Sequence, residues 1–327
     1  MARVVRFHAF GGAEVLSLDE AEVRDPGPGE VRIAVAAFGL NRVEALFRSG
    51  AMGPVQFPSR IGYEAAGIVT AIGAGVSDWK VGDRVATLYG LSMEDFGTHA
   101  EEIVYPAEML VPVPQSQTFE EAAASWMQCG TAWALIAAGS IAPGDVVAIT
   151  AASSSVGIAA IQLANACGAF PIAVTRGREK AEALLAAGAA HVIASDEEDV
   201  ATRLLDLTGG QGVRILFDAL GGAPLAAMIP AVAPGGIVIA YGMLAGYTVE
   251  LPLPAMMLAN LTVRGFSADS IVRDAGARAR MIDWLLPRLA SGSLGPLIDS
   301  IYPLEAIVEA HRRLESNQQI GKIVVTI

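Results

Sequence analysis

Residues 151–157, Ala-Ala-Ser-Ser-Ser-Val-Gly, have the small side chains that a pyrophosphate-binding loop requires. The preceding residues 146–150 are typical of a buried strand, and residues 156–167 are typical of an Ala-rich helix. At such a junction, backbone N–H groups and the positive end of the helix converge on an anion. The loop therefore predicts a dinucleotide site, with an ordinary serine-capped helix as the alternative. The residues expected to contact the phosphates are Ser153, Ser154, Ser155 and Val156.

The end of the next predicted strand, residues 171–175, carries side chains that suit a phosphate group. A carboxylate at this place normally holds the 2′-hydroxyl group of NAD. Here the chain offers a hydroxyl group and three cations, and Glu179 is expected to point outward. Guanidinium and ammonium groups pair with phosphate oxygens, so the pattern predicts NADPH, with a merely basic, solvated helix start as the alternative. The predicted 2′-phosphate residues are Thr175, Arg176, Arg178 and Lys180.

The wider pattern predicts an α/β protein that contains two different kinds of region. From residue 145 onward, β-branched stretches alternate with Ala-rich stretches, which indicates a doubly wound parallel sheet. Before residue 112, closely spaced glycines interrupt short β-stretches, which indicates a bent, barrel-like antiparallel sheet. The predicted strands of the parallel sheet are residues 146–150, 171–175, 191–194, 213–218 and 236–241.

The composition excludes several classes of function. Of 327 residues, 53% are hydrophobic and 17% are charged, so there is material for a large core. A net charge of −12 opposes nucleic-acid binding, and no apolar stretch is long enough to span a membrane. Residues 1–6 do not have the pattern of a signal peptide. Because Cys129 and Cys167 cannot form a disulfide framework or a four-thiolate zinc site, we expect a cytoplasmic protein.

Several motifs, in this order and spacing, resemble those of the medium-chain dehydrogenase/reductase superfamily over essentially the whole chain. They are residues 62–67, 81–85, 143–145, the serine-rich loop, and residues 217–222, 234–236 and 320–325. The resemblance implies a GroES-like, barrel-like catalytic domain made of residues 1–119 and 261–327. A Rossmann domain of residues 120–260 would be inserted in it, with the active site in the cleft between the two.

The resemblance points away from the zinc-dependent branch of that superfamily. Zinc alcohol dehydrogenases hold their catalytic metal with two cysteines and a histidine, and the corresponding positions here are Asn41, Tyr63 and Gln128. None is a good zinc ligand, because zinc prefers thiolate, imidazole or carboxylate. The four-cysteine structural lobe is also missing. We therefore predict no metal, and residues 38–42 and 128–131 are similar to those of zinc-free quinone oxidoreductases and enoyl reductases.

The same resemblance assigns further residues to the cofactor. Asn41 would lie near the nicotinamide ribose or the substrate oxygen, and Thr131 near the nicotinamide, while Asp218 would end the fourth strand beside the cofactor. Further cofactor-binding residues by resemblance are Tyr241, Gly242 and Met243 under the nicotinamide ribose, Phe266 and Ser267 in the pocket, and Asn317 and Lys322 in the C-terminal loop.

The proton donor is less clearly indicated. Related enoyl reductases often carry a tyrosine acid where this chain has Met52, which cannot donate a proton. Tyr63, Tyr89 or water remain as donors, and Tyr63 is equally well interpreted as a core aromatic with a satisfied hydroxyl group. His99 and His311 are expected to be structural or exposed, and not catalytic.

Without a metal ion, the acceptor must be polarised by neutral donors, and the Asn41 amide and the Tyr63 hydroxyl group are the predicted catalytic groups. Such donors suit electron-poor acceptors, so we predict hydride transfer from NADPH to a quinone or an α,β-unsaturated carbonyl. A zinc-dependent alcohol dehydrogenase and a non-catalytic NADPH-binding protein are the alternatives. A homodimer is expected, because residues 247–253 resemble an edge strand of the kind that family members pair.

Overall fold

The computed structural model describes residues 1–327 and divides the chain into two compact units. Unit 1 contains Met1–Met127 and Asp269–Ile327, and unit 2 contains Gln128–Ala268. Both boundaries lie a few residues after the expected ones at 119/120 and 260/261. The discontinuity of unit 1 means that unit 2 is inserted within its sequence.

The strands are β1 (Ala2–Phe7), β2 (Leu16–Ala21), β3 (Glu30–Gly39), β4 (Ser59–Arg60), β5 (Ala65–Ile72), β6 (Arg84–Thr87), β7 (Glu102–Pro106), β8 (Leu110–Pro112), β9 (Val146–Ile149), β10 (Phe170–Thr175), β11 (His191–Ala194), β12 (Val213–Asp218), β13 (Val232–Ala240), β14 (Thr262–Gly265), β15 (Ile298–Pro303) and β16 (Lys322–Thr326). The helices are α1 (Arg42–Arg48), α2 (Met93–Phe96), α3 (Phe119–Ala123), α4 (Trp126–Ala132), α5 (Ala134–Ala137), α6 (Ser155–Ala166), α7 (Ala181–Ala186), α8 (Val200–Leu207), α9 (Gly222–Met228), α10 (Leu253–Ala259), α11 (Asp269–Arg273), α12 (Ala275–Ala290) and α13 (Ile307–Glu315).

Unit 2 is built around one parallel sheet with the strand order β11-β10-β9-β12-β13-β14. Every adjacent pair is parallel, which confirms the predicted doubly wound sheet. Such sheets are covered on both faces, and this explains why their strands are almost continuously apolar. Ile172, Leu216 and Val238 belong to the buried core around it. The strand order reverses at β9 and β12, and open α/β sheets bind ligands at the carboxyl ends of the strands beside such a reversal.

Unit 1 contains a sheet that follows the path β15-β16-β3-β5-β6-β8, with β7 also paired to β3. The side chains of β3 alternate between buried and half-buried along most of its length, as in a strand with one face on a core. Register shifts between β3 and β5 bend this ladder, in keeping with the predicted curved sheet. The final strand, β16, pairs with β3, which confirms that the C-terminal segment returns to the first domain.

One expectation about the edge of the parallel sheet is wrong. Residues 247–253 do not form a strand, because residues 247–252 lack strand pairing and α10 begins at Leu253. Pro254 lies in the first turn of that helix, where the missing N–H group has no intrahelical partner to lose. The strand at this edge is β14, which pairs only with β13.

Two further features concern membranes and disulfides. None of the helices combines the length and the apolar character that crossing a bilayer requires. Cys129 and Cys167 are not joined in a disulfide.

Candidate functional site

The predicted phosphate loop connects β9 to α6 in unit 2. The chain turns at Ala151, which has φ of +46°, and α6 begins at Ser155. The hydroxyl oxygen of Ser154 caps this helix by accepting a hydrogen bond from the N–H group of Gly157 at 3.1 Å. No acidic residue lies in the first turn of α6, so the positive helix end is not neutralised by its own side chains.

Only glycine fits at position 157. A Cβ atom there would lie 2.4 Å from the backbone oxygen of Ala152. The first turn of α6 therefore packs closely against the loop because residue 157 has no side chain. The strand–loop–helix shape is confirmed, and the contacts with phosphate remain a prediction.

Lys180 is the cation that the fold brings to this loop. Its side chain is buried, and Nζ donates a hydrogen bond to the hydroxyl oxygen of Ser153 at 3.3 Å. Thr175, at the end of β10, is also buried, whereas Arg176 is exposed. Lys180, Ser153 and Thr175 therefore supply one cation and two hydroxyl groups next to the start of α6.

Arg178 has acidic neighbours that the sequence did not indicate. Its guanidinium group is exposed and donates to Glu197 at 2.9 Å and to Glu198 at 3.2 Å. The hydrogen bond that Arg178 donates to Glu197 is the main reason that the pKa of Arg178 is raised. Both acids follow β11, so only the parallel pairing of β10 with β11 brings them close. Glu179 is exposed, and its carboxylate folds back beside Gly177, where a Cβ atom would clash with it.

Asp218, at the end of β12, organises the neighbouring loop. Thr150 donates its hydroxyl group to Oδ1 at 2.8 Å, and the N–H groups of Leu220 and Gly221 donate to Oδ2 at 3.1 and 2.7 Å. Burial raises the pKa of Asp218 above its usual range. The carboxylate ties the ends of β9 and β12 together at the reversal of strand order.

The remaining predicted cofactor residues of unit 2 differ in exposure. The ring of Tyr241 stacks on Phe217 with centroids 4.1 Å apart, and its hydroxyl group is buried without a hydrogen-bond partner. Burial also raises the pKa of this hydroxyl group. Of the others, Thr131 is buried, Gly242 and Phe266 are half-buried, and Met243 and Ser267 are exposed.

In unit 1, Asn41 is the centre of a buried polar network. Its side-chain oxygen accepts a hydrogen bond from Nζ of Lys322 at 2.6 Å, and Lys322 also pairs with Oε1 of Glu64. Its side-chain nitrogen lies 3.2 Å from Glu44 Oε1 and 3.3 Å from Glu64 Oε1. Because an ammonium group can only donate, the amide oxygen must face Lys322 and the amide hydrogens must face the two carboxylates.

This network changes how two predictions are understood. The two amide hydrogens of Asn41 face three protein acceptors, which are the carboxylates of Glu44 and Glu64 and the backbone oxygen of Gly39. The substrate contact expected of Asn41 therefore requires one of these bonds to break. Lys322 is only 1% exposed, and its ammonium group is hydrogen-bonded to Asn41 and Glu64, which both belong to unit 1. Asn317 lies on the surface with φ of +58°, and its side-chain oxygen accepts a hydrogen bond from Arg42.

The hydroxyl group of Tyr63 also has a hydrogen-bond partner within unit 1. Its hydroxyl group lies 2.9 and 3.0 Å from the two carboxylate oxygens of Asp269. Burial, followed by the charge of Asp269, raises the pKa of Tyr63. Asp269 is a site residue that sequence reasoning missed, because it lies far along the chain and at the start of a short helix. Tyr89 lies beside Tyr63, with ring centroids 6.2 Å apart.

Two histidines are completely buried, in agreement with a structural role. His99 stacks on Phe38 with centroids 4.1 Å apart, and His311 meets His99 edge to face. Burial lowers the pKa of His311 to about 3, so the ring is neutral at neutral pH. The pair lies next to Glu44, whose carboxylate is 3.5 Å from His99 Nε2.

The residues at the positions corresponding to zinc ligands do not fit a zinc ion. Asn41 and Tyr63 are an amide and a phenol that are bound to carboxylates within unit 1. Gln128 is buried, and its side-chain oxygen has no hydrogen-bond partner. A catalytic zinc ion prefers thiolate, imidazole or carboxylate ligands, and none of the three residues supplies one.

Two protein-family models match parts of the chain, and their descriptions agree with the observed fold. The family described as "Alcohol dehydrogenase GroES-like domain" matches residues 27–115, and the family described as "Zinc-binding dehydrogenase" matches residues 155–286. A 2-haloacrylate reductase from a Burkholderia species is 30% identical, over 99% of this chain and 98% of its own length. A quinone oxidoreductase from Pseudomonas aeruginosa is 31% identical, over 99% of each chain.

Among solved structures, that of Escherichia coli quinone oxidoreductase complexed with NADPH superposes with a TM-score of 0.90. It is 30% identical in sequence, and the alignment covers 99% of this chain and 100% of that one. The chain belongs to the medium-chain dehydrogenase/reductase superfamily, in its quinone oxidoreductase branch.

Proposed function

We propose that this protein transfers a hydride from NADPH to a quinone or an α,β-unsaturated carbonyl without a catalytic metal ion. The observation that carries the proposal is the chemistry of Asn41 and Tyr63, which stand at positions corresponding to zinc ligands. An amide and a phenol, each bound to carboxylates, occupy these positions. With no Lewis acid, the acceptor must already be electron-poor, because neutral donors polarise a carbonyl group less strongly than a metal ion does.

Unit 2 supports NADPH as the cofactor. The N-terminus of α6 and the backbone of residues 153–156 would hold the diphosphate. Thr175, Arg176, Arg178 and Lys180 would hold the 2′-phosphate, with Lys180 already placed 3.3 Å from Ser153. When bound, the cofactor supplies the hydride. Thr131, Tyr241, Gly242, Met243, Phe266 and Ser267 of unit 2 are proposed to contact its nicotinamide half. Asn41 and Asn317 of unit 1 are also proposed as cofactor-binding residues, whereas the ammonium group of Lys322 is already bound to Asn41 and Glu64.

The names of the relatives support the acceptor class. One relative is a 2-haloacrylate reductase, and another is a quinone oxidoreductase. A haloacrylate has a double bond conjugated to a carboxylate, and a quinone has double bonds conjugated to carbonyl groups. Both accept a hydride at an electron-poor carbon, which matches a site equipped only with neutral donors.

Asn41 and Tyr63 are proposed to act on the acceptor oxygen. Each donor hydrogen is occupied by a carboxylate in the structure, so a substrate oxygen must compete with Glu44 and Glu64 for Asn41, and with Asp269 for Tyr63. These carboxylates orient the donors before substrate arrives. The final proton would come from Tyr63 or from water, and the two sources are distinguishable by substitution.

The protein is further proposed to act as a cytoplasmic homodimer. Several large apolar side chains of unit 2 are exposed near the edge strand β14, among them Leu253, Met257 and Leu258 of α10. A second copy would cover such a surface and would also protect the unpaired edge. The absence of a disulfide between Cys129 and Cys167 agrees with a reducing compartment.

The decisive experiment compares the rates of NADPH oxidation with quinones, enones and aldehydes under identical conditions. Reduction of quinones or enones, with little reduction of simple aldehydes, is the expected result. Zinc-dependent alcohol oxidation would instead identify an alcohol dehydrogenase. Tight NADPH binding without turnover of any acceptor would identify a non-catalytic binding protein.

A further inference from the structure

Three side chains of the kind that bind transition metals converge in the core of unit 1. Glu44 lies in α1, His99 in the segment before β7, and His311 in α13, and all three are completely buried. One ligand atom from each lies within 4.8 Å of the other two. Because the three segments are far apart in the sequence, no spacing motif indicates the cluster.

Three of the four imidazole nitrogens of this cluster lack a hydrogen bond. Both ring nitrogens of His99 and Nε2 of His311 are buried without a hydrogen bond. Buried polar atoms are nearly always satisfied, so unpaired nitrogens that face a carboxylate indicate a missing ion or water molecule. The ring of His99 is held by stacking on Phe38, and the carboxylate of Glu44 is held by the N–H group of Asn41 at 2.9 Å. Outer contacts of this kind orient the ligands of metal sites.

The cluster also has too little positive charge. Glu44 and Glu64 are joined through the Asn41 amide, but Lys322 pairs with Glu64, and Arg48, the other buried cation beside the cluster, pairs with Glu315. A buried carboxylate without a compensating charge is costly. A proton on His99 would supply the charge but would leave Nε2 of His311 unsatisfied. A divalent ion between the two rings and Glu44 would supply the charge and bind one nitrogen of each ring, while Nδ1 of His99 would stay unpaired.

We propose that Glu44, His99 and His311 bind one zinc ion that stabilises unit 1. Two imidazoles and one carboxylate form a known ligand set for zinc, in which a water molecule takes the fourth position. Bonds of about 2.0–2.1 Å place tetrahedral ligand atoms roughly 3.3 Å apart, so ligand atoms that are 4.8 Å apart must approach by about 1.5 Å. His311 would bind through Nε2, because Arg48 lies 3.4 Å from Nδ1, and that long contact would be lost. Arg48 keeps its partner Glu315.

The test measures zinc in the purified full chain after dialysis against a chelator and reloading with zinc chloride. Stoichiometric zinc and a melting temperature several degrees above that of the chelated protein are expected, because an ion that binds only the folded state stabilises it. Wild-type protein that retains no zinc and melts at the same temperature in both states would overturn the proposal. His99 and Glu44 would then form only an imidazolium–carboxylate pair.

Substitution of the proposed ligands tests where the zinc ion binds. His99→Gln and His311→Gln should each lose the bound zinc and the thermal shift, whereas His191→Gln, which changes an exposed histidine of unit 2, should keep both. Zinc that persists in both buried-histidine variants would place the ion elsewhere and refute this site. NADPH-dependent quinone reduction is measured separately on the same samples, so failure of the zinc site and failure of the proposed activity are distinguishable.

Discussion

The hydroxyl group of Tyr63 meets both carboxylate oxygens of Asp269, at 2.9 and 3.0 Å, within unit 1. A phenol has one hydrogen to donate, and this one is directed at a carboxylate. Arg273 lies 3.6 Å from the same carboxylate, so Asp269 keeps a cationic partner of its own. Tyr63 is therefore either a donor that a substrate must recruit away from Asp269, or a residue that only positions Asp269.

Replacing Tyr63 by Phe tests whether its hydroxyl group reaches the acceptor. If the hydroxyl group donates to the acceptor oxygen, enone reduction should slow by roughly a hundredfold or more, in line with general acid catalysis. Quinone reduction should slow less, because the hydroquinone anion is stable and takes its proton from water. Steady-state rates with one enone and one quinone measure both effects. An equal and small effect on the two acceptors would mean that Tyr63 has no role as an acid.

Asp269→Asn provides the control for that experiment. The amide is nearly isosteric and carries no charge, so it competes less strongly for the Tyr63 hydrogen. A donor role for Tyr63 predicts that this variant reduces enones at least as fast as the wild type. If Asp269→Asn instead reproduces the defect of Tyr63→Phe, Tyr63 acts through Asp269, and the two residues position the site without donating a proton.

The choice of cofactor should depend most on Lys180. Its buried ammonium group lies beside Ser153, so Lys180→Ala should remove a charge-assisted bond worth about 1.5–3 kcal/mol, a factor of roughly 10–100 in the KM for NADPH. Arg176→Ala and Arg178→Ala should raise that KM less, because both groups are exposed and Arg178 is paired with Glu197 and Glu198.

The KM for NADH should remain nearly unchanged in all three variants. As a control, Arg312→Ala, which changes an exposed arginine of unit 1, should behave as the wild type with both cofactors. If the three variants lost NADH and NADPH equally, these residues would support the fold instead of recognising the 2′-phosphate group.

Lys322 is predicted to matter for stability more than for cofactor binding. Lys322→Met removes the only lysine from a network that contains Glu44 and Glu64, and it leaves a buried carboxylate unpaired. Such a loss costs about 3–5 kcal/mol, which urea unfolding would measure. Adding Glu64→Gln to Lys322→Met should restore part of the lost stability, while Lys80→Met, at an exposed lysine, should cost little. Full stability of Lys322→Met with a raised KM for NADPH would favour direct cofactor contact.

The fold could be predicted well because its signals are local. The strand of residues 146–150, the loop after it and Gly157 lie within a dozen residues, and periodicity and turn chemistry decide their structure. The residues that surround the proposed donors could not be predicted in this way. Asp269 reaches Tyr63, and Glu198 reaches Arg178, only through strand pairing and the return of the chain. Residues 247–253 contain β-branched residues and a proline that suit an edge strand, but proline is equally common in the first turn of a helix such as α10.

The dimer prediction rests on the apolar surface of α10. Light scattering should give twice the monomer mass of 33.8 kDa, and the mass should remain constant on dilution in the micromolar range. Replacing Met257 and Leu258 by Glu places charges on two side chains that are 76% and 87% exposed, so it should dissociate the dimer without unfolding unit 2. A monomer mass for the wild type at all concentrations would contradict the prediction. A dimer that survives the double substitution would place the interface on another surface.

The last prediction is that catalysis does not require a metal ion. The positions corresponding to zinc ligands hold an amide, a phenol and a second amide, and two of them are already bound to carboxylates. Chelation should therefore leave the turnover number for quinone reduction within about twofold, a change of less than 0.5 kcal/mol in the barrier. Removing a zinc ion bound by Glu44, His99 and His311 would lower the melting temperature, so the assay is run well below the melting temperature of the chelated protein. The His99→Gln variant removes this complication, because it lacks one ligand of that cluster. Activity that is lost from His99→Gln on chelation and restored by zinc would reveal a catalytic metal ion and would refute the metal-free mechanism.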